Sequence, residues 1–249
     1  MRFVVAVVVA ALLAGGCGKS SETPAPAPVA RVPSEPVGTG IMSGRVVFKG
    51  SVPPPSPIKL GADPVCEAAH EGKLFTEDVL VNDDGTLRNV FVYIKQGLTG
   101  RKFSPPHEPV VLDQSGCLYH PHVQGIQVGQ PLLIRNSDDT LHNIHALTEK
   151  NDAFNLGQPM RGMESRKMFT KPEVMIHFKC DVHPWMSCYL GVLDHPFFAV
   201  TGDGGTFALT NVPAGDYIVE AWHEKVGTQT ANVHVDKDET KTIDFTFTN

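Results

Sequence analysis

The chain consists of short apolar or alternating runs, separated by clusters of Gly, Pro, Asn and Asp. Helical periodicity is almost absent, and short runs of this kind are typical of β-strands joined by turns. The segment 63–72, DPVCEAAHEG, is the one place where we expect a short helix. Turn chemistry separates many of the runs: NDDGT at 82–86, RNSDDT at 135–140, GDGGT at 202–206 and VPAGDY at 212–217. The pattern predicts an all-β fold of sandwich architecture.

The N-terminus has the composition of an export signal. In residues 1–17 a single basic residue, Arg2, precedes an apolar stretch from Phe3 to Ala14, and small residues lead to Cys17. The apolar stretch is too short to span a bilayer. LAGGC resembles the lipobox of bacterial lipoproteins, which implies a lipid on Cys17 and a location at a membrane of the periplasm or cell surface. An ordinary signal peptide cleaved nearby is the alternative.

Residues 18–40 are rich in Pro, Ala and Ser and have no periodic apolar face, as expected of an extended linker. We expect the folded body to begin after about residue 40. A second boundary is predicted near 200/201, because nearly all His, Cys and Met residues lie upstream of it. The domains are therefore 41–200, with an N-terminal β extension, and a smaller β module at 201–249. The N-terminal strand at 43–50 is compatible with pairing to either half.

Composition limits the partners. The formal net charge of -6 and the pI of about 6.0 leave no basic surface to neutralise phosphates, which argues against nucleic acid. A chain of 249 residues buries a sufficient core without a metal. Any metal would therefore serve chemistry and not folding.

The cysteines allow two interpretations. Export places the chain in an oxidising compartment, where free thiols tend to pair. With Cys17 assigned to lipid, the remaining four can form two disulfides. If a metal instead claims Cys180, then Cys66 and Cys117 are the natural pair and Cys188 is left over. A bridge between Cys180 and Cys188 would consume the thiolate, so the sequence leaves this choice open.

The stretch CDVHPWM supplies three kinds of metal donor within seven residues. Cys180, His183 and Met186 offer a thiolate, an imidazole and a thioether in the spacing Cys-x2-His-x2-Met. A thiolate, two imidazoles and a weak axial thioether make up blue-copper centres. Zinc accepts Cys and His but has no use for the thioether, so Met186 favours copper.

The second imidazole is expected from the strand HNIHAL, which contains His142 and His145. Side chains three apart in a strand point to opposite faces, so only one of the two should reach the metal. We predict His142, because it directly follows a turn and lies at the end of its strand. Asn143 then points to the other side, where its amide is expected to hold the loop near Cys180.

These residues resemble a known family. HNIH followed by CDVHPWM is similar to the copper motif of amicyanin and related cupredoxins. The resemblance implies His142, Cys180, His183 and Met186 as ligands of one type 1 copper, in a Greek-key cupredoxin β-sandwich. The departures from amicyanin are the additional C-terminal module, the thiol at 188 and the length of about 100 residues between the start of the folded body and His142.

The resemblance extends beyond the copper motif. Over residues 41–249 the chain is similar to bacterial exported cupredoxin-like proteins called methylamine utilisation proteins. The segment 205–223 is similar to carboxypeptidase-regulatory-like, transthyretin-like β-sandwich modules. This likeness implies a second, smaller sandwich at the C-terminus.

Together these features predict a lipid-anchored blue copper protein that carries one electron and is not an enzyme. Its expected partners are a c-type cytochrome or a periplasmic dehydrogenase, besides the membrane that holds the lipid. Two alternatives stay open: a copper chaperone or storage protein, which would use the same ligands, and a structural or carbohydrate-binding β protein.

The other histidines rank lower. His120 and His122 have a period of two, compatible with a second copper or zinc site, but no third ligand is evident. His177 is expected on the sandwich surface. WHEK at 222–225 lacks the spacing of a metalloprotease and is interpreted as a strand end.

Two further features have competing interpretations. Asp138 and Asp139 resemble paired carboxylates, but NSDDT is better explained as a turn. Trp185 packs in the core or, with Pro184, forms an apolar rim around His183 through which electrons pass to a partner. We favour the core for Trp185.

Overall fold

The computed structural model describes residues 38–60, 63–71 and 73–248. The predicted signal peptide 1–17 with Cys17, and the predicted linker up to residue 37, lie outside the described residues. Among the described residues, no helix has the length and apolar character needed to cross a membrane.

Strands dominate the structure, and the all-β prediction is confirmed. The short helix α1, Pro64–Ala69, lies inside the segment predicted as helical, and Asp63 is its N-cap. The strands up to residue 136 are β1 Gly40–Lys49, β2 Pro57–Ile58, β3 Leu74–Phe75, β4 Phe91–Gln96, β5 Val110–Ser115, β6 Leu118–His120, β7 Val123–Gln127 and β8 Pro131–Asn136. The later strands are β9 His142–Leu147, β10 Phe154–Gln158, β11 Glu164–Met168, β12 Glu173–Lys179, β13 Ser187–Leu193, β14 Phe198–Val200, β15 Thr206–Val212, β16 Gly215–His223, β17 Gly227–Val235, β18 Thr240–Thr242 and β19 Phe245–Thr248.

One sandwich carries the predicted copper ligands. Its sheets have the strand orders β10-β9-β12-β13-β7 and β11-β8-β5-β6. Both contribute apolar side chains to one buried core, among them Leu112, Ile134, Ile144 and Phe178. Burying each such side chain contributes about 1.5–3 kcal/mol, so the alternation of apolar residues holds the two sheets together.

The pairing of β9 with β12 positions the site. The two strands are antiparallel, with Lys179 opposite His145 and Phe178 opposite Ala146. The loop that leaves β12 at Cys180 therefore passes beside the start of β9, where His142 lies. Sheet register thus brings together residues that are almost 40 positions apart in sequence.

The second sandwich combines the first and the last strands of the described residues. Strand β1 pairs with β15, β18 and β19, and β4 lies between β14 and β16. Met42, Val92, Phe207 and Val219 share its core. The N-terminal strand, which the sequence left free to pair with either half, thus pairs with strands beyond residue 201. This core contains strands from both sides of residue 201, because strand pairing joins segments distant in sequence.

The two sandwiches meet at an aromatic contact. Phe91, Tyr93, Val123 and Leu193 form a third buried cluster between them. Gly191 lies against the Phe91 ring, where an added Cβ would come within 2.4 Å of Phe91 Cζ. The contact therefore depends on the absence of a side chain at 191.

Candidate metal centre

Three donor atoms converge at the end of the first sandwich. The Nδ1 atoms of His142 and His183 are 2.9 Å apart, and Cys180 Sγ lies 4.0 Å from His183 Nδ1. All three donors lie within 4.8 Å of one another. The relative exposures of His142, Cys180 and His183 are 0%, 2% and 2%. The structure thus brings together three of the four side chains that the sequence nominated, in a space shielded from solvent.

The loop after Cys180 is closed by its own backbone. The Cys180 N–H donates to the Met186 carbonyl at 3.2 Å, and the Met186 N–H donates to the His183 carbonyl at 2.9 Å. The His183 N–H donates to Cys180 Sγ at 3.3 Å. Met186 is fully buried in the same core as Cys180. These bonds hold the Cys-x2-His-x2-Met sequence as one compact turn.

A carboxylate holds the outer nitrogen of each imidazole. His142 Nε2 donates to Asp138 Oδ2 at 2.9 Å, and His183 Nε2 donates to Asp63 Oδ2 at 3.1 Å. A carboxylate on the outer nitrogen fixes the orientation of a metal-binding imidazole and raises its basicity. Both Nδ1 atoms therefore face the thiol and each other.

Asn143 lies beside the thiol, as expected for the residue that faces away from His142. Its Oδ1 accepts the Asp181 N–H at 2.7 Å and lies 3.2 Å from Cys180 Sγ. Its Nδ2 donates to Asn155 Oδ1 at 2.6 Å. The amide thus joins strand β9 to the start of the 180s loop.

The electrostatic environment favours an ionised thiol. Burial raises the pKa of Cys180, but hydrogen bonds from His142 and from nearby backbone N–H groups outweigh it and lower the pKa below the usual value. Burial also lowers the pKa of His142, yet the bonds to Asp138 and Cys180 raise it overall. For His183, burial and the nearby His142 lower the pKa despite Asp63. The surroundings thus lower the pKa of the Cys180 thiol and of His183 and raise the pKa of His142.

The four cysteines among the described residues form one disulfide and two free thiols. Cys66 and Cys117 are joined by a bond of 2.06 Å. Cys180 and Cys188 are free and buried. The structure thus has the pairing that leaves the thiol at 180 open to a metal, and Cys188 remains the odd thiol.

The outer edge of His183 is covered by other segments of the chain. Cys66 Sγ lies 3.7 Å from His183 Nε2, next to the Asp63 carboxylate. The half-buried Trp185 ring lies 5.1 Å from the His183 ring, centroid to centroid, and its N–H donates to the Cys117 carbonyl at 3.0 Å. Segments distant in sequence fold over the ring, and local sequence does not reveal such cover.

Four other histidines considered in the sequence analysis have partners outside this cluster. His145 Nδ1 contacts Asp181 at 3.0 Å on the opposite face of β9. His120 bonds the Ser115 carbonyl, His122 bonds Glu224, and His177 Nε2 bonds Ser187 Oγ at 2.8 Å. Among the described residues, every group of donors close enough to share a metal includes His142 or His183. Within the part of the chain that the structure describes, no such group of donors forms around His120 and His122.

Sequence reasoning missed the two carboxylates. Asp138 was interpreted as a turn residue, and it does lie in the bend before β9, but its side chain is largely buried on His142 while that of Asp139 is 66% exposed. The bend thus also places the carboxylate that orients His142. The spacing of four between Asp138 and His142 was an available signal, whereas nothing local links Asp63 to His183, 120 residues away.

Comparison with known proteins gives weak likenesses. No protein-family model matches the chain, and no curated protein matches it. Among solved structures, the chain is similar to the Cu-containing nitrite reductase from Thermus scotoductus SA-01, with 24% identity over 39% of this chain and a TM-score of 0.34. The chain spans 25% of the length of that enzyme.

Two smaller copper proteins are also similar. A methionine-to-alanine mutant of amicyanin in the Cu(I) form shows 21% identity over 34% of this chain and 81% of its own, with a TM-score of 0.30. A purple cupredoxin from Nitrosopumilus maritimus shows 20% identity over 34% of this chain and 97% of its own, with a TM-score of 0.29. Structural similarity at this level does not establish a function, which must be inferred from the chemistry of the donor cluster.

Proposed function

We propose that this protein is an exported type 1 copper protein that carries one electron at a time between redox partners. The convergence of one donor atom from each of His142, Cys180 and His183, all within 4.8 Å of one another, carries the proposal. A thiolate with two imidazoles and a thioether is the donor set that copper accepts in both oxidation states.

The orientation of the two imidazoles and the lowered pKa of the thiol suit copper binding. Both imidazoles turn Nδ1 inward because their outer nitrogens are bonded to carboxylates, and the thiol has a lowered pKa. In the proposal, His142, Cys180 and His183 would hold the ion, and the Met186 thioether would complete the donor set. Copper, when bound, supplies the change between Cu(I) and Cu(II). Asp138, Asp63 and Asn143 keep the donors oriented.

Burial favours an electron carrier over a copper chaperone. A chaperone passes its ion on by ligand exchange, so a partner must reach at least one donor. Here His142, Cys180, His183 and Met186 are each at most 2% exposed. Donors fixed in a packed interior also move little between oxidation states, which suits electron transfer. In the proposal, the site therefore keeps its copper while transferring electrons, and it does not make or break bonds in a substrate.

The proposal includes export. The Cys66–Cys117 disulfide suits an oxidising compartment, as expected for the periplasm or cell surface. In this proposal a lipid on Cys17 anchors the protein to a membrane, and the redox partner is a c-type cytochrome or a periplasmic dehydrogenase.

Metal analysis and absorption spectroscopy test the copper site. We expect one copper per chain and an intense visible band from the thiolate-to-copper transition. Cys180→Ser should abolish that band. Cys188→Ser is the matched control, because Cys188 is also a free buried thiol in the same core, and it should retain the band. A colourless Cu(II) complex, or a band that survives Cys180→Ser, would contradict the proposal.

Stopped-flow mixing with a reduced c-type cytochrome separates carrier from chaperone. A carrier is expected to accept an electron reversibly and to keep its copper against a Cu(I) chelator. Rapid loss of copper to the chelator, without electron exchange, would support the chaperone instead.

A further inference from the structure

Asp63 performs two tasks with its two oxygens. Oδ1 caps helix α1 by accepting the backbone N–H groups of Val65 at 2.8 Å and Cys66 at 3.3 Å. Oδ2 accepts His183 Nε2 at 3.1 Å and the Thr140 hydroxyl at 2.6 Å. The carboxylate is thus fixed on one side by the helix and presented to the imidazole on the other.

We propose that Asp63 is a positioning residue that sets the tautomer of His183. A carboxylate only accepts hydrogen bonds, so His183 must carry its proton on Nε2. The lone pair of Nδ1 is then turned toward Cys180 Sγ and His142 Nδ1, where the proposed ligand atom is required. This inference deepens the proposed function and rests on it for the role of copper, although the tautomer itself is a property of the metal-free protein.

The Cys66–Cys117 disulfide connects the Asp63–His183 hydrogen bond to the equivalent Asp138–His142 hydrogen bond. Asp63 caps the N–H of Cys66, and Asp138 Oδ2 accepts the N–H of Cys117 at 2.8 Å while it also holds His142. Because Cys66 and Cys117 are bonded, the two carboxylates are anchored at opposite ends of one covalent link. The disulfide thus limits how far the two carboxylates, and with them the two imidazoles, can move apart.

Two substitutions of Asp63 distinguish its effect on the His183 tautomer from its role as the N-cap of α1. Asn and Ser both cap helices about as well as Asp, so Asp63→Asn and Asp63→Ser should keep α1. Asn has one acceptor oxygen, and when the cap uses it the amide NH2 faces His183 Nε2. Two donors cannot share that bond, so the proton of His183 should move to Nδ1. Ser is too short to reach the ring and should leave both tautomers populated.

Nitrogen-15 NMR of the metal-free protein reads the tautomer directly, at about pH 8 where a histidine of ordinary pKa is neutral. We expect Nε2–H at His183 in the native protein, Nδ1–H in Asp63→Asn and a mixture in Asp63→Ser. A native His183 protonated on Nδ1, or an unchanged tautomer in Asp63→Asn, would overturn the inference. This readout needs no copper, so it stays decisive even if the proposed function fails.

Copper titration provides the second readout. Loss of a carboxylate behind a metal-bound imidazole lowers metal affinity by about 10-fold to 100-fold. We expect a loss in this range for Asp63→Asn and no loss for Asp139→Asn. The latter removes an exposed carboxylate next to Thr140, whose hydroxyl bonds Asp63. Equal losses in the two variants would show a general charge effect and overturn the positioning role.

Discussion

Asp138 accepts the Nε2–H of His142 at 2.9 Å and, with the same carboxylate, the backbone N–H groups of Gly116 and Cys117 at 2.8 Å each. One largely buried side chain thus satisfies three donors from two segments of the sandwich. Burial raises the pKa of Asp138, but these bonds outweigh it and hold the pKa below its usual value. The carboxylate stabilises the fold as well as the orientation of the imidazole.

Removing this carboxylate should destabilise the metal-free protein. Asp138→Ala leaves buried donors without an acceptor, at a cost of about 1–3 kcal/mol for each unsatisfied group, so we expect a loss of about 3 kcal/mol in the free energy of unfolding. Urea denaturation measures it. Asp139→Ala is the control, and its exposed pairing with Arg161 should contribute less than about 0.5 kcal/mol. Equal effects of the two substitutions would refute the structural role of Asp138.

Met186→Leu tests whether the Met186 thioether would serve as a copper donor. The swap roughly conserves volume in a fully buried position, so the stability cost should stay below about 1.5 kcal/mol. Without the thioether, the oxidised ion loses an electron-pair donor, and the reduction potential should rise while the thiolate band persists. Voltammetry of the copper-loaded variant gives the potential. An unchanged potential would mean that Met186 is not a donor.

Gly191→Ala should disrupt the contact between the two sandwiches. The new methyl would lie 2.4 Å from Phe91 Cζ, and overpacking of this kind costs about 1–3 kcal/mol. Gly157→Ala is a matched control, because Gly157 also lies in a strand of the first sandwich and an added Cβ there meets nothing within 4 Å. Thermal unfolding should show a lower midpoint for the first variant and little change for the second. The reverse order would contradict the packing described.

The contact between His122 and Glu224 should make stability depend on pH. Burial lowers the pKa of His122, but the Glu224 carboxylate outweighs it and raises the pKa above its usual value. The folded state therefore holds this proton more tightly than the unfolded state. The resulting stability is fully present below about pH 6.5, the pKa in the unfolded chain, and is lost as pH rises through the folded-state pKa.

Urea denaturation between about pH 6 and about pH 9 measures this dependence, and His122→Gln should flatten it. Glu224→Gln should remove the upward shift of the His122 pKa, followed by NMR titration. A native His122 pKa at or below about 6.5 would count against the pairing.

Local sequence was enough to predict the elements that carry the site. The strand HNIHAL corresponds to β9, and the helix N-cap at Asp63 was inside the predicted segment. Strand alternation correctly separated His142, which faces the thiol, from His145, which faces Asp181. These inferences succeeded because side-chain direction in a strand depends only on position along the chain.

The sequence by itself determined the all-β class, the donor types in CDVHPWM and the alternating faces of β9, since each depends on neighbours a few residues apart. Only the tertiary structure decided that β1 joins the C-terminal strands, that Cys66 bonds Cys117, and that Asp63 covers the outer edge of His183. Those relations join segments up to about 200 residues apart, where many pairings are compatible with the same local pattern. Sheet register and core packing select among them, and neither can be calculated from spacing alone.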